Sequence, residues 1–154
     1  MIRVLFVCHG NICRSPMAEF LFRDMLTKKG FNQDFSIASA ATSREEIGNT
    51  IYPPAKKKLN ALGIDCAGKT ARQVTRQDYD VFDYLLVMEA YNTKNLMKIL
   101  GDDPHKKVFR LLDFSEHPRD IADPWYSGNF DITHKDIMEG LEAFLSFALK
   151  NKKA

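Results

Sequence analysis

A cysteine, an arginine and a serine-proline pair occur close together near the start of the chain, where residues 7–16 read Val-Cys-His-Gly-Asn-Ile-Cys-Arg-Ser-Pro. The apolar run at 2–7 predicts a strand that is buried on both faces and ends just before Cys8. Ser15 is a favourable N-cap and Pro16 suits the first helical position, so a helix is predicted at 16–29. A short loop therefore connects the strand to the helix.

This arrangement suits the binding of an anion and attack on it. The N–H groups of the loop and the helix N-terminus can converge on one point and form an anion site. We expect Gly10 to let the backbone turn, and Asn11 tolerates left-handed dihedral angles. Arg14 offers a planar, two-pronged donor that matches a phosphate group. The same field favours Cys8 as a thiolate, placed for in-line attack on phosphate without a metal ion.

The cysteines also allow simpler interpretations. A lone cysteine at the end of a strand is usually a small buried apolar side chain, but here Cys8 is followed by every part of an anion-binding loop. The chain has three cysteines, the others being Cys13 and Cys66, and an odd number argues against a disulfide scaffold. The four histidines are scattered, so neither a metal site nor another cofactor is predicted.

The rest of the chain alternates between predicted strands and helices. Further strands are predicted at 35–39, 84–88 and 107–112, and further helices at 55–62, 90–100 and 133–149, whereas 113–130 is predicted to be a loop. This alternation indicates an α/β fold with a mainly parallel sheet. In such sheets ligands bind beyond the carboxyl ends of the strands, which is where Cys8 is expected.

Composition and charge exclude several classes of protein. The chain has 154 residues, is 45% hydrophobic and 27% charged, and carries a net charge of +2. These values suit one domain spanning 1–154 and give no reason to expect nucleic acid as a partner. No apolar run approaches the length of a membrane span, and the apolar N-terminus is too short for a signal peptide. A cytoplasmic protein with no membrane partner is expected.

Residues 7–15 closely resemble the phosphate-binding signature of the low-molecular-weight protein tyrosine phosphatase family, Val-Cys-x-Gly-Asn-x-Cys-Arg-Ser. The segments at 39–43, 71–75 and 82–88 also resemble segments of this family, and Asp-Pro-Trp-Tyr at 123–126 resembles its Asp-Pro loop. The resemblance implies a four-stranded parallel sheet with helices on both faces. It also implies hydrolysis of protein phosphotyrosine through a cysteinyl-phosphate intermediate, without a metal or cofactor.

The resemblance implies roles for individual residues. Cys8 would be the nucleophile, Arg14 the phosphate clamp and Asp123 the general acid and base. The residues that bind the substrate or support the loop would be His9, Gly10, Asn11, Ile12, Cys13, Ser15 and Ser39, and the walls of the cleft would be Trp125 and Tyr126. Asp120 is an alternative acid, and Asp103, which also precedes a proline, is expected to form a plain turn.

Two departures from the family pattern bear on specificity and loop support. Many members have an aromatic residue where this chain has Glu45 or Glu46, so the cleft wall opposite the Asp-Pro loop differs. Many also have a histidine just before the segment at 71–75, where this chain has Lys69 and Thr70.

Four other functions are weighed against a tyrosine phosphatase. Thioredoxin-linked arsenate reductases share the fold but use further cysteines after the nucleophile, and this chain has only Cys66 beyond the loop. Phosphoarginine phosphatases tend to carry threonine at the position of Ile12. Residues 63–70 match the pattern of a nucleotide-binding loop, but a predicted helix precedes them where that motif needs a strand. A phosphoprotein-binding module without activity would not need Cys8, Arg14 and Asp123 together.

Overall fold

A parallel sheet forms the centre of the molecule. In the computed structural model, which describes residues 1–152, its four strands run in the order β2-β1-β3-β4, all parallel. Val4 of β1 lies in register with Ile37 of β2 and Tyr84 of β3. The strands are β1 (Ile2–Cys8), β2 (Phe35–Ala41), β3 (Tyr84–Val87) and β4 (Val108–Arg110).

Helices cover both faces of the sheet. Their bounds are α1 (Arg14–Lys29), α2 (Pro53–Ala61), α3 (Arg76–Val81), α4 (Ala90–Leu100), α5 (Pro124–Ser127) and α6 (Phe130–Lys150). The even-numbered side chains of β1, such as Val4 and Phe6, pack into one core with α1, α2 and α6. The odd-numbered ones, Leu5 and Val7, pack into a second core with α3 and α4. Side chains of a strand alternate between faces, so one strand serves both cores.

The predicted α/β class and the four-stranded parallel sheet flanked by helices are confirmed. Within residues 1–152, no helix is long and apolar enough to cross a membrane. Strands β1 and β3 were predicted from their apolar runs, and α1, α2 and α4 with the help of a proline or glycine at one end.

Several local predictions were wrong. Helix α1 begins at Arg14 with Cys13 as its N-cap, so Ser15 lies inside the first turn and is not the cap. The predicted loop at 113–130 contains α5, and its start belongs to a 3₁₀ helix at Leu111–Phe114 that also replaces the end of the predicted strand at 107–112. Helix α3 was missed. These three helices span only four to six residues, too few to show a period.

Close packing of α6 against the 3₁₀ helix depends on Gly140. A Cβ atom at this position would lie 2.5 Å from Cγ of Leu111, a side chain that is fully buried. The 3₁₀ helix leads into residues 115–123, which carry the predicted acid Asp123. Gly140 therefore sets the distance between α6 and the segment that delivers this carboxylate.

We predict that Gly140→Ala does not stabilise the protein, although alanine is a better helix former than glycine. Alanine raises helix propensity by about 1 kcal/mol, but the clash with Leu111 costs about 1–3 kcal/mol because a buried leucine has no free space to enter. Urea unfolding should show an unchanged or lower free energy of unfolding, by up to about 2 kcal/mol. Ser146→Ala, at an exposed position of the same helix, is the matched control and should not destabilise. A clear gain in stability for Gly140→Ala would show that Leu111 does not oppose the added methyl group.

Candidate active site

The sulfur of Cys8 is surrounded by hydrogen-bond donors at the carboxyl end of β1. The backbone N–H of Asn11 donates to Sγ at 3.3 Å and that of Ser15 at 3.4 Å. Oγ of Ser15 lies 3.0 Å from the same sulfur. Cys8 is only 3% exposed, so water contributes little to its solvation. Two backbone N–H donors and a hydroxyl thus converge on one buried sulfur.

Asn11, and not Gly10, makes the sharp turn of the loop. Asn11 has a φ of 58°, in the left-handed region, whereas Gly10 has no positive φ. Such a conformation costs about 1–2 kcal/mol for a residue with a Cβ atom. The side chain of Asn11 offsets this cost because Nδ2 donates to Oγ of Ser15 at 2.7 Å and to Oγ of Ser39 at 3.0 Å. Its Oδ1 accepts from the N–H of Arg72 at 3.3 Å.

A buried charged network supports the loop from beneath. Oγ of Ser39 donates to Glu19 at 2.6 Å, and Arg23 contacts the other oxygen of Glu19 at 2.7 Å. Nζ of Lys69 donates to the carbonyl of Ser39 at 2.9 Å and lies 3.7 Å from Glu19. Burial lowers the pKa of Lys69, while nearby Glu19 acts in the opposite direction. Lys69 therefore holds the backbone of Ser39 in place beneath the phosphate loop.

The guanidinium group of Arg14 is buried and joins three segments of the chain. It is 2% exposed. Nη1 donates to the carbonyl of Ile121 at 2.7 Å and lies 3.2 Å from Glu89, and Nη2 lies 3.5 Å from Asp123. Burial disfavours the charged form, but Cys8, Glu89 and Asp123 outweigh it and raise the pKa of Arg14. The cation is thus held permanently charged next to the sulfur.

Asp123 lies at the start of α5 and faces Arg14. One carboxylate oxygen accepts from the N–H of Trp125 at 3.0 Å, so Asp123 caps the short helix. The other oxygen is the one near Arg14. Pro124 occupies the first helical position, where a missing N–H costs nothing. The Asp-Pro sequence thereby aims the carboxylate toward the phosphate loop.

The other candidate acids are engaged elsewhere. Asp120 accepts from the N–H of Ala90 at 2.9 Å and from Arg110 at 3.1 Å. Asp103 accepts from the hydroxyl of Tyr79 at 2.6 Å and ties together the turn before β4. Neither residue lines the cavity above Cys8.

An open cavity of about 220 Å³ lies above Cys8 and brings most of the predicted residues together. Three predicted residues, Asn11, Ser15 and Ser39, do not line it but lie beneath the loop as hydrogen-bond partners. Glu45 and Glu46 form part of the wall. The predicted residues that line the cavity are Cys8, His9, Gly10, Ile12, Cys13, Arg14, Asp123, Trp125 and Tyr126.

The other two cysteines differ from Cys8 in their surroundings. Burial, with a further contribution from Cys8, raises the pKa of Cys13 to about 12, so this thiol stays protonated at neutral pH. Cys66 is 3% exposed within the core beneath α1 and α6. Within residues 1–152, no group of three or more His, Cys, Asp or Glu side chains is arranged to hold a metal ion.

Sequence reasoning missed Glu89 and the supporting role of Glu19. Glu89 lies two residues after the end of β3, at the same sheet edge as Cys8, and this position was the signal that could have found it. Glu19 is 4% exposed, but nothing in the sequence distinguishes it from an acidic residue on the solvent face of a helix. Its role becomes visible only through contacts with Ser39 and Lys69.

Comparison with known proteins agrees with this geometry. The family model described as low molecular weight phosphotyrosine protein phosphatase matches residues 3–154. The low molecular weight protein-tyrosine-phosphatase YfkJ of Bacillus subtilis is 42% identical over 99% of each chain, and a rat low molecular weight phosphotyrosine protein phosphatase is 37% identical over 92% of each.

Solved structures give the same result. The crystal structure of YfkJ superposes with a TM-score of 0.93, covering 99% of this chain and 98% of that one. The structure of a Drosophila arginine phosphatase superposes with a TM-score of 0.87 at 26% identity, covering 98% of this chain and 100% of that one. The resemblance noted in residues 7–15 is therefore confirmed over the whole chain, which belongs to the low-molecular-weight phosphotyrosine protein phosphatase family.

Proposed function

We propose that this phosphatase hydrolyses phosphotyrosine in proteins, without a metal or cofactor, through a cysteinyl-phosphate intermediate. One observation carries the proposal: the buried sulfur of Cys8, the cation of Arg14 and the carboxylate of Asp123 all open onto one cavity. This combination provides a nucleophile, a charge clamp and a proton donor within one site.

The first step transfers the phosphoryl group to the enzyme. The thiolate of Cys8 attacks phosphorus while the bond to the phenolic oxygen breaks. Asp123, in its protonated form, gives its proton to that oxygen, so the leaving group departs as a neutral tyrosine side chain. Arg14 and the loop N–H groups stabilise the charge on the phosphoryl oxygens. The products are cysteinyl-phosphate and the carboxylate of Asp123.

The second step returns the enzyme to its starting state. The Asp123 carboxylate takes a proton from water, and the water oxygen attacks phosphorus. The sulfur–phosphorus bond breaks, inorganic phosphate leaves, and Cys8 is again a thiolate. The donors on its sulfur, Asn11 and Ser15, make this thiolate a better leaving group. Asp123 is protonated once more.

Phosphotyrosine suits the walls of the cavity. Ile12 and Trp125 offer apolar surface for an aromatic ring, and Trp125 is 51% exposed and available for contact. Phosphoarginine is the second candidate because the carboxylates of Glu45 and Glu46 also line the cavity and would attract a guanidinium group. Arsenate reduction is disfavoured because Cys66, the only cysteine after the loop, is buried in the core.

Residues 1–154 would act as one phosphatase domain whose partner is a phosphoprotein, with no nucleic acid or membrane partner. A cytoplasmic location fits three unpaired cysteines, because reducing compartments keep thiols free.

The substrate class is tested with peptides of one sequence that carry phosphotyrosine, phosphoserine or phosphoarginine. We expect phosphotyrosine to be hydrolysed fastest, and a chelator to leave the rate unchanged because Arg14 and the loop amides supply the electrostatic stabilisation. Release of inorganic phosphate is the measurement. Faster release from phosphoarginine would reassign the substrate, and loss of activity with chelator that a divalent ion restores would refute the mechanism.

Replacing the nucleophile should abolish turnover and leave binding intact. Cys8→Ser is expected to fold and to bind inorganic phosphate, measured by calorimetry, because Arg14 and the loop amides remain. Its turnover should fall to the background level, since a serine hydroxyl is a far weaker nucleophile without an adjacent base. Cys66→Ala, outside the cavity, is the control and should retain turnover. Near-normal activity of Cys8→Ser would exclude a cysteinyl-phosphate.

Removing the proton donor should slow the enzyme in proportion to the basicity of the leaving group. A tyrosine phenolate has a pKa of about 10, so its departure at neutral pH benefits from a proton. Asp123→Asn should lower kcat/KM on a phosphotyrosine peptide by about 10²–10⁴-fold, and by much less on an aryl phosphate with an acidic leaving group. Asp120→Asn is the matched control and should show no such pattern. If Asp120→Asn shows it instead, the acid has been assigned to the wrong carboxylate.

A further inference from the structure

Tyr52 lies between the phosphate loop and the helix that carries the acid. Its backbone N–H donates to the carbonyl of Ile12 at 2.9 Å, so it is joined directly to the loop around Cys8. Its ring lies against Trp125 of α5, with 4.6 Å between the ring centroids and an angle of 45° between the planes. The ring of Phe130, at the start of α6, also stacks on Tyr52, with centroids 6.2 Å apart.

The position of Tyr52 is fixed by its neighbours in the chain. Tyr52 precedes Pro53 and Pro54, and a residue before proline is held in an extended conformation. Its backbone follows this rule, with φ −53° and ψ 130°. Ile51, on the other side, is 3% exposed and anchors the segment in the core. The ring of Tyr52 therefore projects from a rigid piece of backbone.

Helix α5 has few other contacts to hold it. A helix of four residues is not stable alone, and Pro124 is its only buried residue. The segment before it is anchored at Ile121, whose carbonyl accepts from Arg14 and whose N–H donates to Met88 at 2.9 Å. After Asp123, the aromatic contact of Trp125 with Tyr52 orients the helix toward the phosphate loop.

We propose that Tyr52 is a positioning residue for proton transfer, which holds the Asp123 carboxylate over the phosphate loop by packing on Trp125. Asp123 caps α5 through the N–H of Trp125, so a rotation of the helix turns the carboxylate with it. The inference rests on the proposed role of Asp123 as the acid. Tyr52 acts only through packing: its ring, and not its hydroxyl, positions Asp123.

The experiment compares Tyr52→Leu with Tyr52→Phe on two substrates, a phosphotyrosine peptide and an aryl phosphate with an acidic leaving group. The measured quantity is kcat/KM, which reports the steps up to phosphoryl transfer. Tyr52→Leu should lower it about 3- to 10-fold on the peptide and less than about 2-fold on the aryl phosphate, the factor expected from one aromatic pair. Tyr52→Phe should restore both values. Tyr91→Leu, at an exposed tyrosine of α4, is the control and should change neither.

Trp125 provides a readout that does not depend on activity. It is the only tryptophan of the chain, so the intrinsic tryptophan fluorescence comes from this side chain alone. Tyr52→Leu should shift its emission to longer wavelength and increase quenching by acrylamide, because one face of the indole loses its cover. Tyr52→Phe should leave both unchanged. Unaltered fluorescence in a folded Tyr52→Leu protein would overturn the proposal.

A double variant shows whether Tyr52 acts through Asp123. In the Asp123→Asn background, Tyr52→Leu should cause no additional dependence on the leaving group. If Tyr52→Leu does not fold, Trp125→Leu takes its place, because it removes the same aromatic contact from the other side. It should show the leaving-group dependence that is expected of Tyr52→Leu. If Asp123→Asn shows leaving-group dependence and both leucine variants lack it, this inference is wrong and the proposed function stands. If Asp123→Asn lacks it too, the acid assignment and the inference are both wrong.

Discussion

The burial of one guanidinium group, that of Arg14, is the constraint on which the site depends. A cation that is 2% exposed is strongly disfavoured unless several partners surround it. Its partners come from the end of β3, through Glu89, and from the segment before α5, through Ile121 and Asp123. Because β1 and β3 are adjacent in the sheet, the loop after each strand opens on the same edge. The hydrogen bonds and ion pairs that the Arg14 guanidinium group requires therefore bring together the three segments that form the cavity.

The hydrogen-bond network beneath the phosphate loop has only one consistent direction. The N–H of Arg72 requires Oδ1 of Asn11 as an acceptor, so Nδ2 points toward Ser15 and Ser39 and donates to both. Ser39 then donates its own hydrogen to Glu19. Ser15 accepts from Asn11, and its own hydrogen points to the sulfur when Cys8 is a thiolate, because a thiolate can only accept. The network thus uses the Glu19 carboxylate and the Asn11 amide to orient the Ser15 hydroxyl toward the nucleophile.

The last acceptor of this network is the buried carboxylate of Glu19, and Lys69 offsets its negative charge. An ammonium group has hydrogen-bond donors only, so Lys69 can donate but cannot accept. Lys69 donates to the carbonyl of Ser39 and adds positive charge near Glu19, and Arg23 supplies a second cation. Lys69 therefore fixes the direction of its own hydrogen bond and adds positive charge to the network.

Local features of the sequence predicted the fold and the phosphate loop. Contacts between residues far apart in the sequence were not predicted. The strand at 2–7, the cysteine and the arginine lie within one short stretch, so their meeting needs only the loop between them. The contacts of Arg14 with Glu89 and of Tyr52 with Trp125 span more than 70 residues, and no spacing in the sequence signals them. The sequence indicated both Gly10 and Asn11 as turn residues, and the left-handed conformation lies at Asn11, whose side chain hydrogen-bonds there.

The floor and the rim of the cavity contact different parts of the substrate. The floor consists of buried groups, Cys8, Arg14 and the loop amides, whose hydrogen bonds and charge suit a phosphate group. The terminal PO₃ group is the same in phosphotyrosine, phosphoserine and phosphoarginine, so the floor cannot separate them. The rim contacts what differs, namely the leaving group, and its side chains are far more exposed, with Trp125 at 51% and Tyr126 at 86%.

The rim carboxylates have partners of their own. Glu45 lies 2.8 Å from His9, and Glu46 accepts from Asn49 at 2.5 Å. A cationic substrate group would have to compete with these partners, whereas an aromatic ring can use the free faces of the rim without displacing any of them. Under the proposed mechanism, selectivity for tyrosine thus comes from apolar contact at the rim combined with the demand of a basic leaving group for the proton of Asp123.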